Sequence, residues 1–162
     1  MSDRPVDPSA PDSGRDETVE ERSDRNWNEI LQELRVVQTG TQILGGFLLT
    51  VCFQQRFADL APPDVALYLV LVLLAACVTI LALAPVIAHR LLFQRRRKAE
   101  LVRFGNRVVT VCLAAGSLLF VGVVGFVFDV VLGGPAGLWA GGGVLLLLAV
   151  VWATAPVLLR RR

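Results

Sequence analysis

The sequence is poor in the residues on which most enzymatic chemistry rests. It holds one histidine, His89, and three cysteines, Cys52, Cys77 and Cys112, in 162 residues. With a single imidazole, no Ser–His–Asp or Cys–His arrangement stands out. The cysteines fall inside apolar runs without metal-ligand spacing, so they read as small buried hydrophobes, and no disulfide is expected. A P-loop, a Gly-rich dinucleotide fingerprint and a His/Cys/carboxylate cluster are all missing. No soluble stretch is long enough to house an enzyme, so we expect no catalytic residue, no metal and no cofactor. The first 25 residues are acidic and lack an apolar segment, so no cleavable secretory signal is expected either.

Charge is also missing, but only from certain places. Hydrophobic residues make up 54% of the chain and the mean hydropathy is +0.60. They are gathered into four uncharged or nearly uncharged runs, at about 36–55, 65–88, 108–132 and 135–159. A hydrocarbon core of roughly 30 Å needs about 20 helical residues. An open sheet cannot cross lipid, and these runs are too long for barrel strands. The expected fold is therefore an all-α membrane protein with four transmembrane helices. The first run is the least apolar, since it carries Gln38, Thr39, Thr41, Gln42 and Thr50.

The charges that remain are segregated. Ten of the 14 acids lie in residues 1–35, whereas Arg90 to Arg107 holds seven basic residues against one Glu. Segments predicted to lie inside hold 13 basic residues near the spans, and the outside segments hold only Arg56. Such a bias predicts both termini on the cytoplasmic side of a cell membrane. Arg outnumbers Lys fifteen to one, which fits a GC-rich bacterial genome and hence a bacterial inner membrane. Tyr68 and Trp139 fall near the predicted outer interface, where amphipathic rings prefer to lie.

Two domains follow. Residues 1–25 form an acidic tail with almost nothing apolar to bury, predicted to be disordered. Residues 26–162 form the transmembrane domain. It starts with an amphipathic helix carrying Trp27, Ile30, Leu31, Leu34 and Val37, which Asn26 and Glu29 would open as a capping box. That helix is expected to lie at the cytoplasmic interface and run into the first span. Segments such as Ala84-Pro85-Val86 and Ala155-Pro156-Val157 recur at an offset of 71 residues. This is either a parallel duplication of two-span halves or chance similarity in a Leu/Ala/Val-rich alphabet.

A few residues carry the candidate chemistry. An ionisable group costs roughly 3 kcal/mol at a helix centre, so Asp129 in the third span calls for a reason. It shares a stripe with Gly122 and Gly125, a helix-packing face, and lies about one turn from the outer loop. It is either an interfacial carboxylate at the outer rim or a proton or cation site. Gln38, Gln42 and Gly45 share a face of the first span, with Thr41 beside it. They serve either as interhelical glue inside the bundle or as the lining of a polar, ion-linked path. Gly137 and Gly141 form a GxxxG match, suited to intramolecular packing or to self-association. Pro85 and Pro156 are expected to bend their spans. Arg95, Arg96, Arg97 and Lys98, among apolar residues of the central loop, are expected to bind anionic lipid headgroups rather than nucleic acid. His89 reads as an interfacial residue.

The block from Asn26-Trp27-Asn28-Glu29 to Gln54-Gln55-Arg56-Phe57, with the Arg-rich middle loop and the Arg-terminated last span, resembles a family of small four-span bacterial membrane proteins of unknown function. Its members often carry the label sodium:proton antiporter. The resemblance covers roughly residues 25–162 and assigns no catalytic or binding residue. It implies cation–proton exchange as an alternative to a structural or regulatory role in the membrane. Exchange needs a site open alternately to each side, normally near the midplane. Four helices make a thin wall around any such path, so transport implies a homo-oligomer.

Overall fold

The computed structural model describes residues 19–92 and 98–160. Four α-helices follow one another: α1 (Val19–Val51), α2 (Pro62–Leu92), α3 (Lys98–Leu132) and α4 (Ala136–Arg160). A short 3-10 turn at Gln55–Asp59 joins the first two. No strand occurs among the described residues.

Three of the helices are long and apolar enough to cross a membrane, over Pro62–Ala88, Glu100–Leu132 and Ala136–Thr154. The expected fourth, α1, does not reach that apolarity. Its helix stops at Val51, short of the expected 55, and Gln38, Thr39, Thr41 and Gln42 dilute what remains.

The start of α1 also differs from expectation. The helix is already formed at Val19, so residues 19–25 are helical rather than disordered, while residues 1–18 lie outside the described residues. Asn26 therefore sits inside a helix and caps nothing. Glu20, Glu21 and Arg22 are good helix formers, and Arg25 Nε lies 3.8 Å from Glu29 Oε1 one turn on, a pairing that favours helix over coil. The amphipathic segment is thus a coaxial extension of the helix that follows it, not a separate element lying across it.

The core is built on a repeat. Along α1, Trp27, Ile30, Leu34, Val37, Thr41, Leu44, Leu48 and Val51 alternate in steps of three and four and are all buried or half-buried. The same rhythm runs through Tyr68, Leu71, Ala75, Val78, Ala82 and Pro85 of α2, and through Gly105, Val109, Cys112, Gly116, Leu119, Val123, Phe126 and Val130 of α3. A 3.5-residue period keeps one seam of each helix facing its neighbours, as in a coiled coil. Two apolar layers result. One joins Ile30 and Leu34 to Val78, Ala82, Val108 and Cys112. The other joins Leu48 to Leu71, Ala75, Leu119, Val123 and Phe126. α2 continues through Pro85, which is itself buried in the seam.

α3 touches each of the other helices, whereas α4 lies mainly against α3. Only 6% of the apolar stretch of α4 is buried, against 28% for α2. The arrangement is a three-helix core with α4 attached to one side, not a symmetric four-helix bundle. The two helical hairpins are accordingly not packed alike, as an intact duplication would have them. Gly133 and Gly134, at φ of 69° and 62°, make the turn between α3 and α4. The Gly133 amide donates to the Asp129 carbonyl at 2.8 Å, closing α3 with a left-handed glycine.

Candidate functional site

Asp129 stands one turn before that glycine turn, half-buried, at the crossing of α3 and α4. The crossing is made of glycine. A methyl group built on Gly137 would lie 2.6 Å from the Gly125 carbonyl oxygen and 2.8 Å from the Asp129 Cβ. One on Gly141 would lie 3.6 Å from the Gly125 Cα. Gly125, Gly137 and Gly141 therefore form one backbone-to-backbone contact within the chain, and Asp129 borders it beside the first turn of α4. Gly122 faces the opposite neighbour, where a Cβ would collide with Leu71 of α2.

Gln38 and Gln42 are elsewhere. Gly116 of α3 lies against Val37 and Thr41, 3.8 and 4.0 Å from a methyl built there. Asp129 is thirteen residues further along α3, about 20 Å at 1.5 Å per residue. The structure does not bring Asp129 and the two glutamines into one site.

The α1 face itself divides differently from the sequence reading. Thr41 is the buried polar residue among the described residues, at 3% exposure, and Gly45 meets Ala75. Gln38 is half-buried, and Gln42 is turned outward. Two apolar grooves flank α1. One of about 450 Å³, lined by Val36, Gly40, Ile43, Leu113, Ser117 and Phe120 among others, runs between α1 and α3. The other, of about 470 Å³, runs between α1 and α2 past Gln42, Gly46, Leu49, Ala76 and Ile80. Thr41 reaches both.

Tyr68 is buried among protein side chains. Its ring meets Phe57 edge-on at 4.9 Å and Phe126 at 6.1 Å, which ties the 3-10 turn to α2 and α3. Trp139 is exposed on α4. Of the basic residues, Arg90, Arg103 and Arg107 are exposed, while Arg95, Arg96 and Arg97 and the Lys98 side chain lie outside the described residues, as does the His89 side chain. No cluster of three or more His, Cys, Asp or Glu able to hold a metal occurs among the described residues.

One contact that the sequence reading missed is Trp27 on α3. A methyl on Gly105 would lie 3.1 Å from both Trp27 and Ile30, so the indole rests where α3 has no side chain. The seven-residue rhythm of Trp27, Leu34, Thr41 and Leu48, with Ile30, Val37 and Leu44 between, was the signal available for it.

The chain belongs to a family of unknown function, DUF6328, whose pattern matches residues 16–156. No curated protein and no solved structure matches it.

Proposed function

We propose that this member of the family is a non-enzymatic component of a bacterial inner membrane, structural or regulatory, which acts through its helix surfaces. The observation that carries the reading is the filled interior. Aliphatic and aromatic side chains occupy the seams of α1, α2 and α3, with Thr41 as the buried polar residue among those described. A packed seam of that kind holds helices together, as expected of a part that works through its surfaces.

The proposal includes four crossings, with both termini cytoplasmic. α1 is the least apolar helix, yet Gly45 faces Ala75, the middle residue of the apolar stretch of α2. If α2 crosses the bilayer, α1 is at the same depth beside it. The basic residues near the spans gather at the ends that this topology puts inside, where anionic headgroups attract them.

Cation–proton exchange by an oligomer is the competing reading. It draws on Asp129, a half-buried carboxylate at the end of a membrane helix. Proteoliposomes holding the purified protein and a trapped pH dye, under sodium or potassium gradients, separate the two. The first reading expects no cation-driven proton movement from correctly inserted protein. Flux in the wild type that disappears in Asp129→Asn would overturn it and establish the second.

A further inference from the structure

The polar residues of α1 are not where a lone bundle would place them. Thr39, Gln42, Gly46 and Thr50 follow one another in steps of three or four and all are exposed. The threonines are satisfied within their own helix, Thr39 donating to the Arg35 carbonyl at 2.8 Å and Thr50 to the Phe47 carbonyl at 2.7 Å. Gln42 has no such outlet. Among the described residues neither its amide nor the hydroxyl of buried Thr41 beside it has a hydrogen-bond partner.

The depth makes this significant. Gln42 lies within one turn of Gly45, which sits opposite the middle of the α2 span. An amide facing lipid there has neither water nor headgroup within reach, and an unsatisfied polar group in hydrocarbon is costly. Next to it, Gly46 meets nothing within 4 Å, and the α1–α2 groove runs alongside, with Gln42, Gly46 and Thr41 in its wall.

We propose that this face of α1 is a homodimer interface, in which a second copy of the chain lays its own α1 along the α1–α2 groove. Two copies in one membrane share an orientation, so their α1 helices run parallel about a two-fold axis along the membrane normal. An isologous contact brings a residue near the axis against itself. The two Gln42 amides then donate to and accept from each other, and the bare Gly46 positions let the backbones approach. A second copy is favoured over a lipid tail because an acyl chain fills a groove but offers no donor or acceptor at this depth. The inference rests on α1 crossing the membrane, as proposed above.

Single cysteines at 39, 42, 46 and 50, and at the comparison positions Val36, Phe47 and Leu138, test it in native membranes. The full chain is used, with Cys52, Cys77 and Cys112 replaced. The interface expects disulfide-linked dimer at 42 and 46 in several-fold excess over 36, 47 and 138. Equal cross-linking at all positions, or most at 138, overturns it. In bilayers of known protein density, Gln42→Leu should weaken dimerisation about tenfold while Gln42→Asn largely retains it. A wild type that stays monomeric there also overturns the proposal. Labelling of the cysteine at 42 by an impermeant maleimide would instead show that α1 is not in the bilayer, a failure of the four-span reading. Shielding at 42 without cross-linking is a failure of the dimer alone.

Discussion

Gly137 of α4 and Asp129 of α3 are so close that a methyl group on the glycine would stand 2.8 Å from the Asp129 Cβ. The contact explains how a helix with so little buried surface stays attached. Backbone approaches backbone along Gly125, Gly137 and Gly141, and close packing replaces the large side chains used elsewhere in the core.

Gly137→Ala is therefore expected to destabilise the α3–α4 contact by about 1–3 kcal/mol, the usual cost of overpacking. Gly142→Ala, five residues further along α4 with nothing within 4 Å, should be neutral or slightly stabilising, since alanine favours helix. Thermal unfolding of the two variants in the same detergent checks the difference.

Trp27→Ala removes the ring that covers Gly105. Burial of this side chain predicts a loss of about 3 kcal/mol, confined to the ends of α1 and α3 where Trp27 and Ile30 meet Gly105. Hydrogen exchange should rise at residues 21–30 and 100–106 and remain slow around Leu48 and Leu119.

Thr41→Val tests the opposite case. The two side chains have similar shape, and the hydroxyl lacks a partner among the described residues. Replacement should be neutral or stabilise the fold by about 1 kcal/mol. A large loss, measured by chemical unfolding in micelles, would mean that the hydroxyl is bonded in the assembled protein.

Gly133 holds φ at 69°. Gly133→Ala should cost about 1 kcal/mol through backbone strain alone. Gly133→Asn should cost less, because asparagine tolerates that region. The ranking of the two melting temperatures is the check.

Much of this architecture was readable from the chain. The uncharged runs locate α2 and α4 and the end of α3 within a few residues, because hydropathy registers length and apolarity directly. α3 itself begins at Lys98, ten residues before the expected 108, where Arg103 and Arg107 keep the hydropathy low. Pro62 and the Gly133-Gly134-Pro135 turn mark element boundaries by backbone chemistry that tertiary contacts do not override. The glycines were readable as packing positions, but their partners were not. Gly125 meets Gly137 and Gly141, while Gly122 meets Leu71, and such pairing depends on which helices adjoin. Gln42 was harder still. A polar stripe in a span suggests an inward face, and in α1 that holds for Thr41 and Gly45 but not for Gln42. Two residues one step apart on a helix are separated by about 100°, so a small rotation of α1 decides which of them meets the core.

The seam of α1 and α3 has one more consequence. The helices have 33 and 35 residues, about 50 Å each, against roughly 30 Å of hydrocarbon. The same heptad register that locks them around Leu48 and Leu119 continues without a break to Trp27 and Gly105. Where register is shared, one continuous row of contacts holds the two helices together. With α1 across the bilayer as proposed, both helices outreach the hydrocarbon by about 20 Å, and the Trp27–Gly105 contact then lies on the same seam that passes beside Gln42.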